Sequence, residues 1–311
     1  MMSNVPVQTV VPILLLIAAG FLSRKIGILR SGDERVLSSY VYYFALPALS
    51  IVNLSEIVFT SNTLKFMSAG ILPIFIAVTI FFAISRIFRV TRDTLYLLIM
   101  STVFGSVAFF GLPFITFAFP TTQGEHLAVL SVSSIGPIGV AISLTTLELY
   151  RLGTTTIWEG LKRVLRKFLK NPLILSILTG FTLAFLRVEI PSPLSTSLHM
   201  LGKTTSAVAI FMLGVFLYGP KYTNIRDALK LSLLRILFLP VVALLITEFL
   251  DLPTLERTIL VLMHSTPIAV SIIVLSERYN FYREIIASLI LVSTIGGGLC
   301  ITLWLFFLGT H

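Results

Sequence analysis

The sequence contains little sulfur and little charge. Cys300 is the single cysteine of the 311-residue chain and lies in an apolar run, which excludes a disulfide framework and a cysteine-based metal site. Charged residues make up 12% of the chain, whereas a soluble domain carries about 25%. Hydrophobic residues make up 56%, and the mean hydropathy is +0.98. This composition argues against a soluble domain and favours a membrane protein.

The side-chain groupings on which enzymes depend are also missing from the sequence. The histidines are His126, His199, His264 and His311, and none has another histidine or a carboxylate four residues later. The apolar runs hold no paired aspartates, and no glycine-rich phosphate loop occurs. We therefore expect no enzyme activity, no cofactor, no resident metal and no ATP-driven pumping.

Apolar runs of roughly 20 residues recur along the whole chain, and this is the length at which a helix crosses a bilayer. They predict an all-α polytopic membrane protein with ten transmembrane helices in a cell membrane. The ten predicted spans lie near residues 5–23, 36–55, 66–86, 94–119, 127–149, 172–187, 200–219, 229–249, 256–277 and 283–308.

Basic residues are distributed unevenly between the two sides of this topology. The net charge is +9, and 19 of the 23 Lys and Arg residues, Arg235 among them, are counted on one side. The other four are Lys65, Arg187, Lys203 and Arg257. The positive-inside rule then predicts that both termini lie outside and that the connection at 150–171 is cytoplasmic.

The connection at 151–171 has the pattern of an amphipathic helix. In the segment IWEGLKRVLRKFLK, apolar residues recur at helical spacing opposite five basic residues. This pattern is typical of a helix on an anionic membrane face, so we expect membrane lipids as partners. A calmodulin-like partner is the alternative. Topology and lipid headgroups account for the basic charge, and we expect no nucleic-acid partner.

The two halves of the sequence resemble each other at an offset of 160 residues. PILLLIAAGF at 12–21 matches PLILSILTGF at 172–181, and SSIG at 133–136 matches STIG at 293–296. Each half contains five predicted spans, an odd number, so the second half must be inverted relative to the first. We predict a first five-helix repeat at 1–150, the linker at 151–171, and a second, inverted five-helix repeat at 172–311.

The fourth and ninth predicted spans contain helix breakers near their centres. The segment FGSVAFFGLPFITFAFP at 104–120 carries Gly105, Gly111 and Pro113, and the ninth span carries Pro267. Proline removes a backbone donor and clashes with the preceding turn. A carbonyl released in this way inside a bilayer needs a partner in protein or in a water-lined cavity. Broken spans of this kind are typical of the substrate site of a transporter.

The breaks define a candidate substrate site. The N-terminal end of a half-helix holds a carboxylate through unpaired N–H groups, hydroxyls add donors, and glycines allow close approach. The predicted substrate-binding residues are Gly105, Ser106, Gly111, Pro113, Ser265, Thr266, Pro267 and Ser271, with Asn53 at the end of the second span. The competing interpretation is that the hydroxyls bond their own helices and the glycines serve packing.

Two coupling ions are compatible with this site. His264 lies three residues before Pro267 and titrates near neutral pH, so it is the candidate carrier of a coupling proton. The alternative is a histidine that is hydrogen-bonded within its helix. A sodium ion would need several oxygens, which Ser133, Ser134, Ser293 and Thr294 supply without an acidic residue at that depth. Proton coupling or uniport is therefore favoured over sodium symport.

Five segments, taken in order, resemble the auxin efflux carrier family with its bacterial and archaeal members. They are FALPALSIVNL at 44–54, GSVAFFGLPF at 105–114, KNPLILSILTG at 170–180, MLGVFL at 212–217 and STPIAVSIIVLSERYN at 265–280. The resemblance implies a fold similar to bile-acid symporters and sodium/proton antiporters. In that fold, spans 1, 2, 6 and 7 form a scaffold through which dimers assemble. Spans 3–5 and 8–10 form a transport domain in which helices four and nine unwind and cross.

The resemblance also implies a class of substrate, because members of that family carry organic anions such as auxin or dicarboxylates. Ser106 and Ser271 stand where members often have asparagine. The predicted function is secondary active transport of a small organic anion by alternating access, with binding at the crossing of helices four and nine. The alternatives are a sodium-coupled symporter of the bile-acid type and a membrane-embedded sensor or channel.

Overall fold

The computed structural model describes residues 5–151, 162, 164–166, 169–219 and 222–308. The first half contains α1 (Val5–Lys25), α2 (Asp33–Tyr40), π1 (Val41–Ala45), α3 (Leu46–Ser55), α4 (Ser61–Ile87), α5 (Arg92–Val103), π2 (Val107–Gly111), α6 (Leu112–Ala118) and α7 (Thr122–Arg151). The second half contains α8 (Pro172–Leu186), α9 (Ser192–Lys203), α10 (Thr205–Leu217), α11 (Ile225–Leu233), π3 (Leu234–Phe238), α12 (Leu239–Phe249), α13 (Thr254–His264), α14 (Ile272–Tyr279) and α15 (Arg283–Phe307). Most of the predicted amphipathic linker lies outside the described residues.

Six helices in the described part of the chain are long and apolar enough to cross a membrane. They are Asp33–Ser55, Ser61–Ile87, Thr122–Tyr150, Ser192–Leu217, Ile225–Phe249 and Glu284–Phe307. Two shorter apolar helices, Val107–Ala118 and Pro172–Leu186, accompany them. The chain is therefore an all-helical polytopic membrane protein, as predicted.

Three of the long helical stretches contain a π-helical turn, and each turn lies directly before a Leu-Pro pair. In π1, for example, the Leu46 N–H bonds the Val41 carbonyl five residues back, and Pro47 follows. Proline lacks an N–H and clashes with the carbonyl four residues before it, and a wider turn relieves that clash. The same arrangement recurs at π2 with Pro113 and at π3 with Pro240.

Glycines permit close contacts between helices at two positions that the sequence repeat relates. Gly20 of α1 lies against α10, where a Cβ would fall 3.0 Å from Val215 N. Gly180 of α8 lies against α3, where a Cβ would fall 2.7 Å from Leu54 Cβ. These contacts pack α1 along α10 and α8 along α3. The repeated glycine therefore lets the backbones of each pair approach closely.

Helix breaks lie between α5 and π2, at residues 104–106, and between α13 and α14, at residues 265–271. The break at Gly105 and the one at Pro267 are where the sequence predicts them. Gly111 and Pro113, in contrast, lie inside the resumed helix, so the prediction that they interrupt it is wrong. Pro113 occupies the second position of α6, where π2 accommodates its ring.

Arg235 corrects a second prediction. The count of basic residues assigns it to the polar side of the topology. In the structure it lies within π3, inside the Ile225–Phe249 helix, and its side chain is 0% exposed. It is therefore not an interfacial charge but a cation in the interior of the molecule.

Candidate functional site

The two interrupted segments, residues 104–106 and 265–271, lie against each other and are joined by hydrogen bonds, and this junction is called the crossing below. The Ser106 N–H donates to the Pro267 carbonyl at 2.8 Å, and the Ala269 N–H donates to the Phe104 carbonyl at 2.9 Å. Together they form an isolated antiparallel bridge centred on Gly105 and Ile268. Backbone groups released by one break thus pair with groups released by the other, as an apolar environment requires.

Helix α15 holds this bridge from one side. The Ile268 N–H donates to Ser293 Oγ at 3.2 Å, and that hydroxyl donates in turn to the Ile290 carbonyl. Gly297 of the same helix lies so close that a Cβ there would fall 3.2 Å from Pro267 Cδ. The unwound segment of the ninth span therefore rests directly on the tenth.

Arg235 reaches the crossing from π3 and bonds the ends of both broken helices. Its Nη1 donates to the Thr102 carbonyl at 2.9 Å, near the end of α5. Its Nε donates to the Thr266 carbonyl at 2.9 Å, and Nη2 donates to Thr266 Oγ1 at 2.8 Å and to the Met263 carbonyl at 3.3 Å. In the described part of the chain no carboxylate pairs with it. The guanidinium charge is thus met by backbone oxygens.

Helix dipoles explain why a cation belongs at this position. The last carbonyls of a helix lack intrahelical partners, and they give its C-terminal end a charge of about −0.5. The C-terminal ends of α5 and α13 both face Arg235, so together they present about −1, which one guanidinium balances. The helices that resume after the breaks, at Val107 and Ile272, begin at the crossing with positive ends.

Two glycines permit the close packing of these groups. A Cβ on Gly105 would overlap the guanidinium of Arg235, with Nε only 2.6 Å away. A Cβ on Gly111 would fall 2.7 Å from Met263 Sδ and 2.8 Å from Thr266 Cγ2. Both predicted glycines are therefore required by close approach within the crossing.

A cavity of about 80 Å³ adjoins the crossing. Ser106 and Ser271 both line it, and neither hydroxyl donates a hydrogen bond to another described residue. Tyr42 and Leu46 from the second span and Leu173 from the sixth also line it. Two hydroxyl groups from the two broken helices are thus free to bond a ligand in this cavity.

The first turn of the resumed fourth helix also faces the cavity. Val107, Ala108 and Phe109 line it, and they are the residues whose N–H groups have no intrahelical carbonyl to bond. The next two N–H groups, of Phe110 and Gly111, bond the Ser106 carbonyl. The cavity therefore combines backbone donors, hydroxyls and the positive end of a helix dipole, a combination that favours an anion.

Larger cavities lie away from the crossing, among them two at the ends of the helices. One, of about 880 Å³, is lined by Glu56, Arg187 and Glu189, among others. The other, of about 730 Å³, is lined by residues that include Asp227 and Tyr282. Burial and the nearby Asp93 raise the pKa of the Tyr282 phenol above its usual value. Neither cavity contains a predicted substrate-binding residue, so we place the candidate site in the smaller one.

His264 is the last residue of α13 and is fully buried. Its Nε2 lies 2.9 Å from the Gly70 carbonyl in α4. Because a carbonyl only accepts, Nε2 must carry the proton, and Nδ1 has no partner in the described part of the chain. His264 does not line the 80 Å³ cavity and thus lies beside the crossing instead of in contact with a ligand there.

Three other predicted site residues use their side chains for structural contacts. Ser265 Oγ donates to the Leu262 carbonyl, and Thr266 Oγ1 donates to the Met263 carbonyl while it accepts from Arg235. Asn53 lies near the C-terminal end of the second span, where Nδ2 donates to the Leu49 carbonyl and to Glu125 Oε1. Ser265 and Thr266 therefore shape the unwound segment, and Asn53 is not brought to the cavity.

Three of the four side-chain oxygens considered for sodium already form hydrogen bonds within the protein. Ser133 donates to the Val129 carbonyl and Ser134 to the Ser131 carbonyl, both within α7. Ser293 holds Ile268, as described above, and Thr294 Oγ1 is buried without a partner among the described residues. These four side chains therefore do not converge through hydrogen bonds on a common position.

Arg235 is the residue that sequence reasoning missed. Its signal was present, because LSLLRILFLP at 231–240 places a lone cation in an apolar run. An ionisable residue at such a position faces the protein interior and marks a functional region. The charge count overlooked it because the boundary of the eighth span was uncertain by several residues.

The sequence is similar to that of known membrane proteins along most of its length. Residues 5–305 match the family described as membrane transport protein. The chain is 26% identical over 310 residues to the uncharacterized transporter MJ1031 of Methanocaldococcus jannaschii, across 96% of this chain and 98% of that protein. It is 22% identical over 305 residues to the uncharacterized transporter YfdV of Escherichia coli K12, across 95% of each. It is 25% identical to the mouse lysosomal cholesterol signaling protein, across 90% of this chain and 35% of that protein.

Proposed function

The chain belongs to the membrane transport protein family, which is auxin efflux carrier-like, and we propose that it is a secondary active transporter of a small organic anion. Family membership assigns it to membrane transporters, and its apolar helices make it a multi-pass membrane protein. The substrate, the mechanism and the coupling ion are the proposed part.

The observation that carries the anion proposal is the cavity at the crossing. Ser106 and Ser271 supply one free hydroxyl from each broken helix, and the N–H groups at 107–109 supply backbone donors. A carboxylate accepts hydrogen bonds from all of these groups without any basic side chain in the cavity. Arg235 balances the negative helix ends, so the two positive ends, together about +1, are left for one negative charge on the ligand.

Packing supports the proposed architecture of ten spans in two inverted repeats. The contact of α1 with α10 joins spans 1 and 7, and that of α8 with α3 joins spans 6 and 2. An inverted repeat relates these two pairs to each other. We propose that these four spans form the scaffold, and a homodimer interface with it, and that spans 3–5 and 8–10 form the transport domain.

The cavity lies where such a division predicts a transport site. Its lining comes from the second and sixth spans, from the fifth span, and from the crossing of the fourth and ninth. Movement of one group of spans past the other would open this cavity to alternate faces of the membrane. Alternating access is therefore the mechanism that we propose.

For the coupling ion we propose a proton carried by His264. This buried ring sits at the last helical residue before the ninth-span break, with Nδ1 free to accept a proton. The positive guanidinium of Arg235, from the eighth span, repels a proton on this ring, so the ring gains its proton more readily when the two groups move apart. Proton binding would therefore be coupled electrostatically to the crossing.

Reconstituted protein tests the substrate site. Ser106→Ala and Ser271→Ala each remove one hydrogen bond to a charged ligand, worth about 1.5–3 kcal/mol, so we expect apparent affinity for the anion to fall roughly 10-fold or more. A thermal-shift screen of organic acids identifies the anion, and uptake into proteoliposomes measures the effect. The control is Ser131→Ala, whose hydroxyl donates to Leu127 within α7. Unchanged uptake by both cavity variants would exclude this site.

Saturation and counterflow separate a carrier from a channel. A carrier shows saturable uptake that is accelerated by the same anion on the opposite side of the membrane, whereas a channel shows neither. A sodium-coupled symporter of the bile-acid type would in addition require a sodium gradient. A membrane-embedded sensor would bind the anion without moving it.

A further inference from the structure

Four oxygen contacts from the two broken helices converge on the guanidinium of Arg235. They are made by the carbonyls of Thr102, Met263 and Thr266 and by Thr266 Oγ1, at 2.8–3.3 Å from its nitrogens. The donors of these contacts all belong to one side chain, which is 0% exposed. The oxygens therefore form a cage that already contains a positive charge.

Such a cage is the kind of site that binds a coupling cation in secondary transporters. Unwound backbone carbonyls and the C-terminal ends of half-helices coordinate sodium ions there, because both present partial negative charge. In this chain the same kinds of group are present, but a guanidinium occupies the centre of the cage. Its charge equals that of a sodium ion, and its fixed attachment to π3 prevents it from leaving.

We propose that Arg235 is a built-in cation that takes the place of a coupling sodium ion at the crossing. The crossing then keeps its charge balance throughout the cycle without a bound sodium ion, and loss of the guanidinium opens an oxygen-lined site for a small monovalent cation. The expectation that transport does not require sodium rests on the proposed function. The binding of Arg235 in the oxygen cage does not depend on that function.

Packing around Arg235 supports this assignment over a simple structural bridge. The guanidinium occupies the space that a side chain at residue 105 would fill, so the glycine makes room for Arg235 at the crossing. Without it, three carbonyls at two helix ends would lose a charged donor in a buried position. Unpaired buried carbonyls are costly, and a cation of suitable size restores their partners.

The test compares the thermal stability of purified full-length variants in sodium, lithium, potassium and choline chloride at equal ionic strength. The variants are Arg235→Ala, which empties the cage, and Arg235→Lys, which keeps a cation in it. Lys230→Ala is the matched control, because Lys230 is a basic residue at an exposed position five residues earlier in the same span. None of these melting-temperature measurements needs an organic anion, so their outcome does not depend on the proposed function.

We expect Arg235→Ala to melt lower than the wild type in choline and to regain about 5 °C in saturating sodium or lithium. The wild type, Arg235→Lys and Lys230→Ala should melt at the same temperature in all four salts. Uptake by the wild type should be equal in sodium and choline. Stabilisation of the wild type by sodium alone, or an Arg235→Ala variant that does not distinguish the salts, overturns the proposal.

A variant that cannot be purified in choline is still informative. If sodium or lithium in the extraction buffer restores monodisperse Arg235→Ala, the ion fills the cage and the proposal holds. Arg235→Gln, which keeps two donors and removes the charge, is measured in the same way. Failure of both neutral variants to respond to any small cation counts against the cage as an ion site.

Discussion

Gly105 and Arg235 depend on each other at the residue scale. The guanidinium lies where a Cβ of residue 105 would be, and hydrogen bonds to backbone oxygens hold it there. A methyl group at residue 105 must therefore displace either the arginine or the bridge to Ile268. The pair explains why glycine is needed at a point where the backbone itself is extended.

Gly105→Ala should consequently destabilise the protein. Overpacking of a tight interior costs about 1–3 kcal/mol, and the displaced guanidinium would also leave the ends of α5 and α13. We expect a lower melting temperature and loss of most uptake. Gly298→Ala is the control, because nothing lies within 4 Å of a Cβ at that helical position. An equal effect of the two substitutions would contradict the reasoning.

His264 provides a second prediction at this scale. His264→Gln keeps a donor for the Gly70 carbonyl, so the contact between α13 and α4 should survive and the protein should fold. The amide does not titrate, so uptake should lose its dependence on a pH gradient while anion binding remains. Proteoliposome uptake with and without the gradient measures this, with His199→Gln as control. Full retention of the dependence would remove His264 from the coupling mechanism.

The site residues differ in how far the sequence could predict them. Ser106 and Ser271 were predicted as hydroxyls close to helix breakers, and both line the cavity. The same reasoning selected Ser265 and Thr266, whose hydroxyls bond backbone carbonyls instead.

The contacts of Asn53 were not predictable, because a position near a helix end does not reveal which neighbour the side chain meets. It meets Glu125. Arg235 required knowledge of a register that hydropathy alone does not supply.

At the element scale, the π turns determine where side chains point. Each adds a residue to one turn, which rotates the preceding helix by about 100° relative to the part that follows. Arg235 lies inside π3, so its direction toward Thr102 and Thr266 depends on that extra residue. A Leu-Pro pair follows each of these turns, although Leu72-Pro73 in α4 has no π turn, so the pair acts together with the local packing.

Pro240→Ala should therefore impair transport through a change in helix register. Alanine supplies the missing N–H and removes the clash, so π3 is free to relax toward an α-turn and rotate Arg235 away from the crossing. We expect uptake to fall roughly 10-fold or more, by analogy with removal of several charged hydrogen bonds. Pro73→Ala in α4, which has no π turn, is the control and should retain most uptake. A fully active Pro240→Ala would show that packing alone holds the turn.

The breaks themselves were predictable as elements, but their limits were not. Glycine and proline marked the fourth and ninth spans, and both spans are interrupted. The sequence predicts a break at Pro113, but a π turn accommodates this proline and the helix continues. The actual break in the fourth span lies at 104–106, where pairing with the ninth span satisfies the backbone. Such long-range pairing is invisible in a local pattern.

At the scale of the whole molecule, the repeat in the sequence has a physical meaning in the packing. Gly20 and Gly180 occupy equivalent places in the matched segments, and each brings its helix against the opposite half of the chain. Each half therefore supplies one helix to the close contact that the other half completes. This reciprocity makes the repeat recognisable although few of its residues are identical.

The sidedness of the molecule is the last prediction. Arg235 is buried and is therefore not counted among the interfacial charges. The other basic residues still predict that the side with the first connection is cytoplasmic. In a Cys300→Ser background, Glu189→Cys should therefore react with a membrane-impermeant maleimide in intact cells, because its connection carries few basic residues. Ser31→Cys should react only after permeabilisation. Both positions are exposed, so a permeant maleimide must label both and serves as the control. The opposite labelling pattern would invert the predicted topology.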